Sequence, residues 1–536
     1  MKKDLQVLAS IFLVLVLVLV VGGVSAAESN PTVLRTTATA TPETVDPARG
    51  SGENDNMIFV NVYESLVTPN QDNGFPEPFI ATEWTVSDDG RSWVFKLRED
   101  VVFSDGNPLT AADVKYSMER MIEIGEGYAF IFKDIVNKVK VIDNYKVEFV
   151  LKIPFGPFLS TLDCFKIVNK KLLEANTLSE GRFGANGDYG TGYLLTNSAG
   201  SGPYVVTEFK IRQSVQLEKN ANYWREIPAQ APDQVLITQV REPSTTKMLI
   251  ANGDVDMVHG HQTKETLQAL LKNEGIIHGN ASEFGLNYFM INTKKPPTDD
   301  VHIRKAISYA TNYELMNEIF GGMPKAQGPV PPTLWGASSN FDNYYYNPEK
   351  AKAAIAQSKY ADTLKDYPLD LAYIQGNGDT DKLAMVLAHD LQAVGFSVKI
   401  NEVPWVLFCN NQKVIETSPH ITNAFCTANY LEAGSILEFK YASWTTGNWN
   451  QNEWLLDDKF DTMILEALGT IDADARKQKY EDIQKYLVNE VVPSVYTFVS
   501  VLKPVWNSDV FSWRIGQGKP HPIVEYNYYY ADFVMK

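Results

Sequence analysis

A single hydrophobic core stops growing at about 250–300 residues, and this chain runs on to residue 536. It must therefore divide into two or three domains. Its first residues stand apart from all of them. Lys2 and Lys3 precede an aliphatic run from Val7 to Val24, and Ser25, Ala26 and Ala27 follow. Basic, apolar and small in that order is the layout of a secretory segment, so residues 1–26 are set aside from the fold and the protein is expected to be exported. The run is near the shortest length that crosses a bilayer, which keeps an uncleaved anchor as the alternative. No second long apolar run occurs, and the body is expected to be soluble.

Charge narrows the class of partner. A formal net charge of −17 disfavours nucleic acid and anionic membrane surfaces. The three cysteines, Cys164, Cys409 and Cys426, are far apart in sequence. A large exported domain does not need disulfide staples, so they are read as small buried side chains, with at most one bridge.

Local patterns alternate between strand and helix. Trp93, Phe95 and Leu97 recur at strand period after the turn Ser87-Asp88-Asp89-Gly90, where Gly tolerates the positive φ of a tight hairpin. Thr110-Ala111-Ala112-Asp113 is a capping-box pattern, and Val114, Met118 and Met121 follow on one helical face. Asn347-Pro348 opens another helix. Thr380 to Val394 is amphipathic through Leu383, Leu387 and Leu391, ends at Gly395, and is followed by Phe396, Val398 and Ile400 at strand period. Phe284 to Ile291 reads as a buried strand. Helices alternating with strands predict an α/β architecture.

Catalytic signatures are missing. There is no GxxxxGK loop, GxSxG elbow or HExxH helix. His259-Gly260-His261 is the one close histidine pair, and it reads as a polar turn after Asp254-Val255-Asp256, with a metal site as the alternative. No enzyme and no cofactor is expected. The clusters Tyr344–Tyr346 and Tyr528–Tyr530 read as packing residues, because neighbours on an extended chain point to opposite sides.

An ordered set of segments carries a resemblance. Val45-Asp46-Pro47, Tyr63-Glu64-Ser65-Leu66, Pro78 to Trp84, Ser87 to Gly90, Asp105-Gly106 and Leu109 to Val114 come first. Gly200 to Tyr204, Asn220 to Trp224, Gly253 to Asp256, Val301 to Thr311 and Tyr346 to Ala351 follow. In that order they resemble the family 5 extracellular solute-binding proteins, the dipeptide-, oligopeptide- and nickel-binding components of ABC importers. The resemblance implies a two-lobed periplasmic-binding-protein fold, with an extra subdomain in the first lobe and two crossovers at the hinge. It places lobe I at residues 27–62, 190–287 and 500–536, its subdomain at 63–189 and lobe II at 288–499. The crossovers are expected near Leu286–Asn292 and Tyr496–Lys503.

Ligand residues are carried over by position. Peptide-binding members hold the ligand's ammonium with an aspartate, and the matching position here is Asn429 in Phe425-Cys426-Thr427-Ala428-Asn429-Tyr430. A neutral amide lacks the charge that roughly doubles such a bond's strength. Phe425 or Cys426 stands where a tryptophan is usual. Tyr128 and Trp405 match pocket aromatics, and Thr39 lies in a loop expected to approach the cleft. After Trp405 only Lys413 offers a cation for a ligand carboxylate. The resemblance thus implies capture of a peptide by a monomer, and its delivery to a membrane permease driven by a separate ATPase subunit. An oligosaccharide or a nickel or other metal chelate is the alternative ligand.

Overall fold

The computed structural model describes residues 30–376, 380–518 and 528–536, so the secretory segment lies outside the described residues. Two large sheets organise the chain into two α/β lobes. The seven-stranded sheet of lobe I runs in the order Ile276–His278, Val505–Asn507, Met257–Val258, Val33–Ala38, Gln234–Gln239, Ser214–Lys219, Tyr204–Lys210. The five-stranded sheet of lobe II runs Val398–Val403, Leu369–Ile374, Ile421–Thr427, Ala281–Ile291, Ser494–Leu502.

The expected helices cover these sheets. Ile303 and Ile307 from helix Val301–Ala310, and Leu383, Leu387 and Leu391 from helix Thr380–Ala393, bury against Phe289, Ile291, Leu369 and Leu371 of the second sheet. Asn347 caps helix Pro348–Gln357 by accepting from the Lys350 N–H at 2.9 Å. The extra subdomain is built on a four-stranded antiparallel sheet, Ala81–Val86, Ser92–Leu97, Lys146–Leu151, Val136–Asp143, with helix Ala111–Ile124 packed on it. Its first hairpin turns at Gly90, whose φ of 69° lies in the left-handed region. At the helix start the Thr110 N–H donates to the Asp113 carboxylate at 2.9 Å, the reaching-back half of the capping box.

The chain changes sheet twice. It leaves the first sheet after His278 and enters the second at Ala281, then leaves at Leu502 and returns at Val505. The stretches Leu286–Asn292 and Tyr496–Lys503 thus overlap strands Ala281–Ile291 and Ser494–Leu502, which pair antiparallel with each other in the lobe II sheet. The hand-overs fall at Gly279-Asn280 and Lys503-Pro504, where Gly and Pro break the strand pattern, and Gly285 interrupts the first strand from within. The first hinge strand is irregular. Its register shifts between Ser282 and Leu286, and Phe284 holds a φ of 57°.

Away from the hinge, the subdomain rests on lobe II. The Gly156 N–H donates to the Leu468 carbonyl at 2.7 Å, and a Cβ at Gly156 would lie 2.1 Å from the Thr470 carbonyl oxygen, so only glycine permits this approach. Nearby, the buried Glu432 carboxylate accepts from Arg476 at 2.6 Å, Tyr480 at 2.7 Å and the subdomain's Ser160 at 3.1 Å. Among the described residues none of the three cysteines is bridged by a disulfide. Cys164 and Cys426 are buried as expected, but Cys409 is half exposed on the short helix Trp405–Asn411, which buries only Phe408. Of the tyrosine clusters, Tyr528 and Tyr530 are core residues, whereas Tyr344 and Tyr345 both lean edge-on against Tyr309.

Candidate ligand cleft between the lobes

The candidate site lies where lobe I, its subdomain and lobe II converge beside the hinge strands. Thr39 follows directly on strand Val33–Ala38 and is exposed at the lobe I edge. Tyr128 is held from behind. Gly127 has a φ of 52° and approaches so close that a Cβ would sit 2.8 Å from the Gly50 carbonyl oxygen. That approach sets Tyr128 where its hydroxyl accepts from the Asn56 side chain at 2.9 Å. Two residues on, Phe130 meets Phe439 of lobe II edge-on, with centroids 5.3 Å apart, so one aromatic contact bridges subdomain and lobe II.

On lobe II, Trp405 is 46 % exposed, stacks on Phe408 and meets Trp449 edge-on at 5.2 Å. Val406 and Leu407 are also open to solvent. Strand Ile421–Thr427 separates the two carried-over residues by its pleat. Cys426 packs on the sheet face that carries Phe408, together with Leu286 and Tyr288, and burial pushes its thiol up to about 11. Phe425 faces the other way, against Phe320 and Phe498. Cys426 is therefore sealed beneath the Trp405 layer, and Phe425 belongs to the helix-covered side. Asn429 is half buried just past the strand. Its N–H donates to the Ser435 hydroxyl at 2.7 Å and its carbonyl accepts from the Cys164 thiol of the subdomain at 2.9 Å. Its side-chain amide has no hydrogen-bond partner among the described residues.

A polar cluster at the hinge was not assigned a role from the sequence. His261 Nε2 lies 2.8 Å from Glu53 and 3.7 Å from Glu283, and Glu283 also accepts from the Ser500 hydroxyl. Glu53 opens a lobe I helix, while Glu283 and Ser500 sit on the two hinge strands. The irregularity at Phe284 lies next to Glu283, the kind of local break that re-aims a side chain. Enclosure works against the charge on His261, but Glu53 and Glu283 outweigh it and hold the imidazole up at about 9. His259 is instead pushed down to about 4, first by burial and then by His261. The histidine pair was visible in the sequence as a turn; its carboxylate partners, far from it in the chain, were not. Among the described residues no group of three or more His, Cys, Asp and Glu side chains is placed to hold a metal ion.

A separate cavity of about 320 Å³ touches Glu64, Tyr223, Arg225 and Lys166 and includes no residue of lobe II. Burial pushes Glu64 up to about 7, and Ser201, Trp224 and Tyr223 donate to it at 2.7, 2.8 and 3.1 Å. Those bonds tie lobe I to its own subdomain, and the interlobe cleft remains the candidate ligand site.

Comparison with known proteins agrees in extent and fold. Residues 76–448 match the sequence model of the bacterial extracellular solute-binding proteins, family 5. The chain is 27 % identical over 484 residues to a probable D,D-dipeptide-binding periplasmic protein, DdpA, of Escherichia coli, covering 88 % of this chain and 89 % of that one. It is 25 % identical over 499 residues to the nickel-binding periplasmic protein of the same organism, covering 87 % and 89 %. Among solved structures, the periplasmic binding protein DppA from Helicobacter pylori in complex with the peptide STSA superposes with a TM-score of 0.75 at 21 % identity, over 95 % of this chain and 100 % of that one. NikA from Brucella suis in complex with Fe(III)-EDTA gives 0.79 at 21 % identity, over 94 % and 100 %.

Proposed function

From its membership of family 5 of the bacterial extracellular solute-binding proteins, to which this chain belongs, we propose that the protein captures a peptide between its two lobes and delivers it to the membrane permease of an ABC importer. It acts outside the cytoplasm, as a monomer, by binding and not by catalysis, and a separate subunit hydrolyses ATP. In this reading residues 27–62, 190–287 and 500–536 make up lobe I, 63–189 its subdomain and 288–499 lobe II, so that the hinge strands Ala281–Ile291 and Ser494–Leu502, which pair in the lobe II sheet, straddle the two boundaries. Residues 1–26 are the secretory segment.

The observation that carries the reading is the junction around Asn429. There an unpartnered amide, a tyrosine and the Phe130–Phe439 bridge bring three parts of the chain together at the lobe contact. A ligand touching both lobes favours the closed form by its differential affinity, which lets a permease distinguish loaded from empty protein. Capture at micromolar affinity needs about 8 kcal/mol, within reach of a cleft with a few polar contacts and aromatic walls. Relatives named for D,D-dipeptides and for di- and tripeptides support the ligand class. The neutral Asn429 and the open face of Trp405 support a second reading, an oligosaccharide stacked on aromatic rings.

Native mass spectrometry of the purified protein, followed by thermal-shift screening, tests the choice. A ligand at 100 times its Kd stabilises by about 2.7 kcal/mol. A clear shift with di- to hexapeptides is expected. No shift with these, beside one with cello-oligosaccharides or nickel–histidine, would sink the peptide reading.

A further inference from the structure

The cavity between lobe I and its subdomain is lined by two charges of opposite sign that have no ionic partner. Its volume of about 320 Å³ lies at the small end of ligand pockets, which run from about 300 to 1,000 Å³, and suits a molecule of amino-acid size. On its wall Glu64 is 4 % exposed. Ser201 and Trp224 donate to its Oε2 at 2.7 and 2.8 Å, whereas Oε1 accepts only from Tyr223, itself a lining residue, at 3.1 Å. A carboxylate offers about four acceptor positions, so one remains on the oxygen nearer the cavity. No cation lies within ion-pair distance of Glu64 among the described residues, and burial holds its carboxyl up at about 7.

Arg225 stands at the exposed rim. Its guanidinium lies 5.6 Å from the ring centroids of Phe79 and Trp224, and it makes no hydrogen bond or ion pair among the described residues. Trp224 therefore touches both groups, with its N–H on Glu64 and its ring against Arg225. The two charges are too far apart to pair directly, yet they share one indole as neighbour. The other charged groups of the lining are occupied or solvated. Lys166 pairs with Asp163 at 3.4 Å and donates to Ser65 at 3.0 Å, and Asp532 pairs with Arg514 at 3.3 Å. Glu77 accepts from Asn70 at 3.0 Å, and Glu226 is open to solvent. A buried carboxylate without a cation is unfavourable, and a guanidinium is best matched by a carboxylate that takes both arms of its fork. A free amino acid carries an ammonium and a carboxylate on one carbon, and an apolar side chain suits the wall of Val60, Val67, Phe79 and Tyr529.

We propose that this cavity is a second ligand site, one that takes a free amino acid with an apolar side chain, its ammonium on Glu64 and its carboxylate on Arg225. The inference goes beyond capture between the lobes and does not depend on it. Every lining residue belongs to lobe I or its subdomain, so the site fills without lobe closure, and its occupant ties those two parts together.

Isothermal titration of the intact protein tests it with three probes: L-leucine, N-acetyl-L-leucine without the ammonium, and L-leucinamide without the carboxylate. Wild type is expected to bind L-leucine at least about tenfold more tightly than either analogue, the usual weight of a hydrogen bond to a charged group. Arg225→Ala changes an exposed side chain, and it is expected to weaken L-leucine about tenfold while leaving L-leucinamide within about twofold. Glu64→Gln is expected to weaken L-leucine by a similar factor and to leave N-acetyl-L-leucine unchanged; where it fails to fold, Arg225→Ala decides. Trp405→Ala, on lobe II, locates the site, because L-leucine binding is expected to survive it. Absence of L-leucine binding by wild type overturns the site, as does equal affinity for the three probes. So does L-leucine affinity that is unchanged in Arg225→Ala or lost in Trp405→Ala. Each of these outcomes leaves capture between the lobes standing.

Discussion

Glu432 and the Glu53–Glu283 pair both lie where the lobes meet, one against the subdomain and the other beside the hinge strands. Glu432 is sealed: its side chain and that of Arg476 are 0 % and 3 % exposed, and one carboxylate faces one guanidinium with Tyr480 and Ser160 filling the remaining positions. At the hinge two carboxylates share a single imidazole, and His261 keeps 47 % of its side chain open. A sealed charge must be matched one for one, because stripping it of water costs several kcal/mol per ion. At the hinge only part of the cluster reaches water: Glu283 keeps 12 % of its side chain exposed, and burial holds its carboxyl above the usual carboxylate range, which lowers the excess charge there. Matched charge here marks a contact that holds the fold.

The largest break in this comparison comes from Arg476→Ala. It leaves Glu432 buried without its cation, and urea denaturation is expected to show a loss of about 3–5 kcal/mol. Replacing both partners, with Glu432→Gln and Arg476→Met together, removes the stranded charge; a loss well below that of Arg476→Ala alone is expected in the same measurement. If the double replacement costs as much as the single one, packing and not charge matching governs the contact.

His261→Gln should do far less, at most about 1 kcal/mol, as for other solvent-accessible pairs. Its signature is its pH dependence. Because folding raises His261 from its ordinary value of 6.5 to about 9, the ion pair contributes fully below pH 6.5 and is lost as pH rises through about 9. Melting temperatures of wild type and His261→Gln are expected to differ at pH 6 and to converge by pH 10. A constant gap across that range would show that the imidazole contributes by packing alone. Raising salt from about 0.01 to 1 M shortens the screening length from about 30 to 3 Å, and it should narrow the His261 gap while leaving the Arg476 gap in place.

Local order was written into local sequence. The Asp89-Gly90 turn, the Asn347 cap and the Leu383–Leu387–Leu391 stripe each depend on residues within one or two turns of one another, and each appears where the pattern puts it. The site was less legible because its geometry is non-local. His261 and Glu53 are 208 residues apart, and no periodicity links them. Strand alternation implies that Phe425 and Cys426 face opposite ways, but only the packed sheet reveals that Cys426 lies under Phe408 and Phe425 against Phe498. The whole-chain resemblance supplied the two-lobed fold and pointed to Asn429.

The hinge strands carry one further consequence. Two separate tethers between two bodies would permit twist, shear and hinge rotation in combination. Here the two hand-overs run side by side, with His278 paired to Val505 in the lobe I sheet on one side of them and Ala281 to Leu502 in the lobe II sheet on the other, so neither can swing without carrying the other or breaking backbone bonds. The joint is reduced toward a single degree of freedom. Ligand binding has then only one angle left to fix, and the entropy surrendered on closing is correspondingly small.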